Sequence, residues 1–123
     1  MLKYLSGDAT TEGGVTKTSL GTITMPANSK ALVGAWAYVA AVLTTLEPAS
    51  GILEMESPDI NLQPCQIPLN PCGAVTSGGV QQEIKVWPMT VALKGGERIT
   101  GYLTLDMALT GNPKARFGLV VEV

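Results

Sequence analysis

The feature that most constrains this chain is an unbroken apolar run over residues 31–43, with the sequence ALVGAWAYVAAVL. In an extended strand, successive side chains point to opposite faces, and neither face of this run carries a charge. One face would carry the bulk that a core needs, from Leu32, Trp36 and Tyr38. A half-exposed strand alternates apolar with polar residues, which this run does not do. The run therefore predicts a strand covered on both faces.

The second face of this strand predicts a contact with another subunit. Its interface candidates are small and apolar: Val33, Ala35, Ala37, Val39 and Ala41. We expect them to pack against a second copy, which makes the protein a homo-oligomer. A neighbouring sheet or a helix of the same chain is the alternative cover for this face. A helix over residues 31–43 is the alternative assignment, because Ser29 can cap a helix and periodicity alone does not assign a short apolar run.

The rest of the chain indicates an all-β fold. Apolar residues alternate with others over residues 99–109 and 115–123, and turn-forming residues separate the two segments, so we expect an antiparallel pair. With 14 Gly and 8 Pro between strand-length segments, residues 1–123 are predicted to form a single domain. This domain is an antiparallel β-sandwich of about eight strands, jelly-roll-like in arrangement. Further strands are predicted over residues 16–25, 51–56, 66–69, 80–86 and 87–93.

Composition argues against nucleic-acid and membrane functions. Charged residues make up 15% of the chain and hydrophobic residues 46%, against about 25% charged in ordinary soluble domains. The net charge is −2 and Lys and Arg do not cluster, so no direct nucleic-acid binding is expected. No secretory signal is expected at the start of the chain. The run over residues 31–43 is shorter than the roughly 18 to 20 residues of a membrane-spanning helix, so no membrane span is expected.

The two cysteines, Cys65 and Cys72, lie in a segment stiffened by prolines. Two reduced thiols are the favoured interpretation, since thiols stay reduced in the cytosol, and a Cys65–Cys72 disulfide is the alternative. A zinc site would need about four ligands, and the chain contains no histidine. No metal and no cofactor is therefore predicted.

The absence of histidine also removes the usual means of activating a nucleophile. Glu54 and Glu56 would share one face of a strand, where a solvated surface pair is favoured over paired acid and base chemistry. No catalytic residue is predicted, and the chain is not expected to be an enzyme. The alternative function is a ligand-binding β-sandwich, such as a carbohydrate-binding or adhesion module, with Trp87 and Tyr102 as exposed stacking platforms.

Two segments carry a resemblance to a known group of proteins. Residues 20–34, LGTITMPANSKALVG, and residues 96–106, GERITGYLTLD, followed by the strand around Phe117, resemble single jelly-roll virion proteins of icosahedral prokaryotic viruses. The resemblance lies in strand rhythm, the PANSK turn and low charge, and it transfers no residue roles. It implies a non-enzymatic capsid or capsid-decorating protomer that associates with itself and with other virion proteins through apolar sheet and loop surfaces. Such a protein would be located in the virion, after assembly in the host cytoplasm.

Overall fold

The computed structural model describes residues 1–11, 13, 15–40, 49–62, 65–72, 85–108 and 114–123. These residues form nine β-strands and contain no helix. The strands are β1 Leu2–Ser6, β2 Thr10–Thr11, β3 Thr18–Thr24, β4 Ala31–Ala40, β5 Ala49–Glu56, β6 Gln66–Cys72, β7 Trp87–Ala92, β8 Arg98–Leu105 and β9 Lys114–Glu122.

The strands form two antiparallel sheets that face each other across a common core. The first sheet has the order β1-β9-β4-β7, with β2 also paired to β9, and the second has the order β3-β8-β5-β6. The pairs are nested along the chain: β1 with β9, β3 with β8, β4 with β7 and β5 with β6. Such nested pairs, divided between two sheets, make a jelly roll. The predicted antiparallel β-sandwich is confirmed. Two of the nine strands in the described residues, β1 and β2, were not predicted.

The strand assignment for the apolar run is confirmed in β4, but a β-bulge reverses the expected faces. Leu32 pairs with Val121, and Gly34 pairs with the residue directly before Val121, so β4 advances two residues while β9 advances one. Val33 is the extra residue at this bulge. Because one inserted residue moves every later side chain to the opposite face, the two aromatic residues of β4 point outward and the small ones point inward.

Small side chains suit the inward face of β4 because Phe117 of β9 occupies the space beside them. Phe117 is fully buried and lies directly opposite Ala37 in the sheet. Its ring also touches Gly101 of the second sheet, where a Cβ atom would lie 2.9 Å from the ring carbons. Large residues on β9 thus pack against small residues on β4 and β8. Other fully buried large side chains are Leu20, Met25, Leu32, Leu53, Met55, Ile67, Ile99, Leu103 and Leu119.

The predicted pairing of the last two strands is wrong. β8 pairs with β3 and β5 in the second sheet, whereas β9 pairs with β1, β2 and β4 in the first. Alternating hydrophobicity identifies each strand but not its neighbour, and here two strands consecutive in sequence belong to opposite sheets. The turn between them, residues 109–113, lies outside the described residues, as does most of the candidate strand over residues 80–86.

A Cys65–Cys72 disulfide is excluded by the extended course of β6. The backbone oxygen of Cys65 accepts a hydrogen bond from Met55 N, near one end of β5, and Cys72 pairs with Ala49 at the other end. An extended chain of this length separates the two Cα atoms by roughly 20 Å, and a disulfide requires less than about 7 Å. Cys65 is an exposed free thiol. The disulfide alternative is therefore wrong.

Candidate functional site

The outer side of the first sheet carries an apolar, aromatic surface, which we call the Trp36 face. Cross-strand partners point to the same side of a sheet, so the register of β1, β9, β4 and β7 defines its members. Large apolar side chains form the centre of this surface, and smaller, polar or charged ones lie around it. Its residues are Leu2, Tyr4, Ser6, Ala31, Gly34, Trp36, Tyr38, Pro88, Ala92, Lys114, Arg116, Gly118, Val120 and Glu122, together with Val86 just before β7.

Trp36 and Tyr38 form the centre of the Trp36 face. Their rings are stacked along β4, with centroids 6.1 Å apart and planes inclined by 4°. The indole of Trp36 lies against Gly118 of β9, close enough that a Cβ atom at this position would overlap indole carbons Cζ2 and Cε2. A glycine inside a strand commonly marks such a close approach. Both aromatic side chains remain half-buried, so each keeps area available for a further contact.

A second packed group lies beside the aromatic pair. Val120 is only 3% exposed although it belongs to the outer side of the sheet and not to the core. Its Cβ would lie 3.4 Å from a Cβ added to Gly34, and Val86 Cγ1 would lie 2.6 Å from that added atom. Val86 thus covers this glycine while remaining 44% exposed itself. The apolar surface therefore continues from β9 across β4 to the approach of β7.

The Trp36 face extends to the edge of the sheet at β1. Tyr4 is 67% exposed and Leu2 is 54% exposed, and both point to the same side as Trp36. Large apolar side chains at such exposure on one sheet face usually mark a contact surface. Sequence patterns did not identify β1 as a strand. The signal that could have identified it is the alternation of Leu2, Tyr4 and Ser6 with Lys3 and Leu5.

Three charged residues lie on the side of the Trp36 face: Lys114, Arg116 and Glu122, the last of them opposite Leu2. Arg116 lies opposite Tyr38 in the register, and its Nε atom is buried with no hydrogen-bond partner in the described part of the chain. Lys114, at the start of β9, donates a hydrogen bond to Thr11 Oγ1 at 2.7 Å. The centre of the face thus combines stacked aromatic rings with one cationic side chain.

The residues predicted as a subunit interface do not lie on this surface. Ala35 and Val39 are 0% exposed and Ala37 is 2% exposed, all within the core between the two sheets. Since the second sheet already covers them, the assignment of these three residues to a subunit contact is corrected. Val33 is half-buried at the bulge, and Ala41 lies outside the described residues.

The second sheet carries a polar group on its outer side, around Lys17. The Lys17 ammonium lies 3.2 Å from Glu54 Oε2 and 3.8 Å from Glu56 Oε1, and 4.6 Å from the ring centroid of Tyr102. The hydrogen bond to Glu54 raises the pKa of Lys17 against a smaller opposing effect of desolvation. Both carboxylates share one strand face, as predicted, and pair with the same cation, Glu56 exposed and Glu54 half-buried.

Trp87 and Tyr102 do not form a common stacking platform. They belong to different sheets, Trp87 to β7 and Tyr102 to β8, and each is half-buried. An ammonium group also occupies one face of each ring, with Lys85 Nζ 4.4 Å from the Trp87 centroid. The expectation that both rings are exposed platforms is therefore corrected.

A turn between the sheets holds the most enclosed carboxylate of the described residues, Glu97. Its Oε2 accepts a hydrogen bond from Lys94 N at 2.6 Å, and its Oε1 accepts one from Gly95 N at 2.7 Å. Burial alone raises the pKa of Glu97, but backbone hydrogen bonds from Lys94, Glu97 itself and Gly95 outweigh it and lower the pKa from 4.5. Because both oxygens accept backbone N–H groups, Glu97 stabilises the turn.

Nearby, Asp59 joins the loop after β5 to the start of β8. Its Oδ2 accepts hydrogen bonds from Arg98 N at 2.9 Å and Arg98 Nε at 3.4 Å, and these lower the pKa of Asp59. In the part of the chain that the structure describes, no three side chains of the metal-binding types lie together. The same part contains no helix with the length and hydropathy needed to cross a bilayer.

Comparison with known proteins gives a structural likeness only. No protein-family model matches the chain. No curated protein matches it either. Two similar solved structures are those of infectious bursal disease virus, Gx strain and Gt strain, with TM-scores of 0.44 and 0.42 and 10% sequence identity. Each match covers 98% of this chain and 32% of the viral chain, so this chain spans about a third of the length of the chains it matches.

Proposed function

We propose that this chain is a non-enzymatic virion structural protein, a capsid or capsid-decorating protomer, that associates with further copies through the Trp36 face. Other virion proteins would be its further partners, with no direct contact to nucleic acid, and assembly would take place in the host cytoplasm. The single observation that carries the proposed contact is the stacked Trp36 and Tyr38 pair on a sheet face that none of the described strands covers.

The apolar character of this face favours self-association over a monomeric state. Burial of apolar area contributes roughly 25 cal/mol per Å², and aromatic side chains dominate the centres of protein interfaces. Tyr4, Trp36 and Tyr38 all point to this side of the sheet. Only 15% of the residues in the chain are charged. A protein with so few charges has a surface that is poorly solvated, and contact with another copy would cover part of that surface.

The assignment to a virion rests on the sequence resemblance over residues 20–34 and 96–106. The jelly-roll strand order agrees with this resemblance, but jelly rolls also form lectin and cupin domains, so the fold alone does not select the function. That the virion belongs to a prokaryotic virus stays a prediction.

The non-enzymatic part of the proposal is supported by the state of the acidic pair. Glu54 and Glu56 form ion pairs with Lys17 on an open sheet face. The chain also contains no histidine that could act as a general base near neutral pH.

Sedimentation velocity and electron microscopy of the purified protein test the proposal. We expect oligomers or ordered shells at micromolar concentration. Tyr38→Glu should prevent assembly but leave a folded monomer, because the new carboxylate lies opposite Arg116 and makes the centre of the face polar. The matched control is Tyr102→Glu, which alters a half-buried tyrosine beside a cation on the outer side of the second sheet. We expect this control to assemble like the wild type.

Three outcomes would contradict the proposal. A wild-type protein that stays monomeric up to millimolar concentration, alone and with the other proteins of its particle, would overturn the structural role. Equal loss of assembly in Tyr38→Glu and Tyr102→Glu would move the contact away from the Trp36 face. Binding of glycans by a monomer, abolished by Tyr38→Glu, would favour the ligand-binding alternative.

A further inference from the structure

Among the described residues, the first sheet ends at β1, and no described strand pairs with the outer side of β1. In an antiparallel ladder, residue pairs that exchange hydrogen bonds alternate with pairs that do not. Gly7 N donates to Phe117 O at 2.9 Å and Val123 N donates to Met1 O at 2.9 Å, which sets the phase of the ladder between β1 and β9. The N–H and C=O groups of Leu2, Tyr4 and Ser6 therefore point away from β9, toward the free edge.

The other three edges of the sheets that the structure describes carry features that obstruct strand addition. β3 has a register shift between Ser19 and Thr22, with Gly21 at φ 89°. β6 contains Pro68 and Pro71, and β7 contains Pro88. Prolines and bulges are common means of keeping edge strands from pairing with other chains. β1 has neither a proline nor a register shift, and its only charged residue is Lys3.

We propose that β1 pairs antiparallel with β1 of a second copy about a two-fold axis at Tyr4, joining the first sheets of two protomers into one continuous sheet. This inference rests on the proposed self-association and adds a second contact, at the sheet edge, to the contact through the Trp36 face.

The sequence of β1 is self-complementary in this register. Tyr4 lies opposite Tyr4 of the second copy, and Leu2 lies opposite the second copy's Ser6, so all three outward N–H groups face C=O groups. Lys3 lies opposite the second copy's Leu5, so no like charges are directly opposed. Leu2 and Tyr4 side chains from both copies gather on the side of the Trp36 face, where they are 54% and 67% exposed in the protomer. A second copy therefore satisfies both the backbone and the side chains of this edge.

Two substitutions at one position test the backbone pairing. Tyr4→Pro removes the outward N–H without removing a hydrogen bond to β9, and Tyr4→Ala removes the side chain but keeps the N–H. A dimer of the proline variant lacks both central donors. We expect its dissociation constant, from sedimentation equilibrium, to exceed that of Tyr4→Ala by about tenfold or more. Equal constants for the two variants would overturn the edge pairing.

Cross-linking tests the register without relying on the proline variant to fold. In a Cys65→Ser, Cys72→Ser background, Tyr4→Cys places the two thiols on Cα atoms about 5.5 Å apart, within reach of a short bismaleimide. Ser6→Cys is the matched control, because its two copies would lie about 13 Å apart along the strands. We expect a covalent dimer from Tyr4→Cys and little from Ser6→Cys.

The outcomes separate this inference from the proposed function. Assembly that persists while neither cysteine variant cross-links would overturn the edge pairing and leave the Trp36 face as the contact. Equal cross-linking of both variants would overturn the register at Tyr4. Absence of any self-association would overturn both.

Discussion

The indole ring of Trp36 lies directly over Gly118 of the neighbouring strand, in a space that a β-carbon would fill. The small size of residue 118 thus allows the largest side chain of β4 to pack against the backbone of β9. This relationship fixes the shape of the Trp36 face, because the indole also stacks beside Tyr38.

Gly118→Ala should lift Trp36 off the sheet. Overpacking at a well-packed contact costs about 1 to 3 kcal/mol, and we expect a loss of that size in the free energy of unfolding, together with weaker assembly. The matched control is Gly7→Ala, where the nearest atom would lie 3.4 Å from the new Cβ, an ordinary contact distance. Urea unfolding followed by Trp fluorescence measures both. Equal stability of the two variants would contradict the close packing at Gly118.

Ala37 and Tyr38 are adjacent in β4 but point to opposite sides of the sheet. Ala37→Asp should prevent folding, because it places a carboxylate beside Phe117 in the core. Tyr38→Glu should leave a folded protein. Circular dichroism and thermal unfolding of the two variants distinguish the faces, and a folded Ala37→Asp protein that fails to assemble would restore the original interface assignment.

The strand at residues 31–40 could be predicted from sequence, because the length and composition of an apolar run are local properties. Its faces could not, since the bulge at Val33 depends on pairing with β9 and reverses every later side chain. Both faces of this strand are apolar, so the sequence pattern does not show which face points toward the core. Side-chain size alone therefore predicts that Trp36 and Tyr38 point into the core. In the structure the core beside β4 is occupied by Phe117, which lies opposite Ala37 and against Gly101.

Strand partners were also beyond prediction from local patterns. Turn-forming residues between β8 and β9 suggested a hairpin, but each strand pairs with strands distant in sequence. The candidate surface was missed for a related reason. It combines Tyr4, Trp36 and Gly118 from three strands, and only their register brings these residues onto one side of the sheet.

Cys65 should behave as a free, accessible thiol in the folded protein. We expect it to react with Ellman's reagent without denaturant, and Cys65→Ser should change the free energy of unfolding by less than about 0.5 kcal/mol. A structural disulfide would instead contribute about 2 to 4 kcal/mol. A fall in stability of that size on adding reductant would contradict the extended separation of Cys65 and Cys72.

Glu97 should make the stability of the fold depend on acid pH. Its pKa in the folded protein lies below its ordinary value of 4.5, because backbone N–H groups of Lys94 and Gly95 bind the ionised carboxylate. The resulting stabilisation is fully present above about pH 4.5 and is lost as the pH falls through the lower, folded-state pKa. Urea unfolding at pH 7 and pH 3 measures this loss.

The variant Glu97→Gln separates this contribution from that of the other carboxylates. Its amide group retains one acceptor oxygen but has no charge, so it cannot satisfy both turn N–H groups as the carboxylate does. We expect the variant to be less stable than the wild type by about 1 to 2 kcal/mol at pH 7, with a smaller difference at pH 3. Asp59 also has a lowered pKa, so Asp59→Asn should retain the part of the pH dependence that comes from Glu97. A difference between wild type and Glu97→Gln that stays constant from pH 7 to pH 3 would mean that the charge of Glu97 does not stabilise the turn.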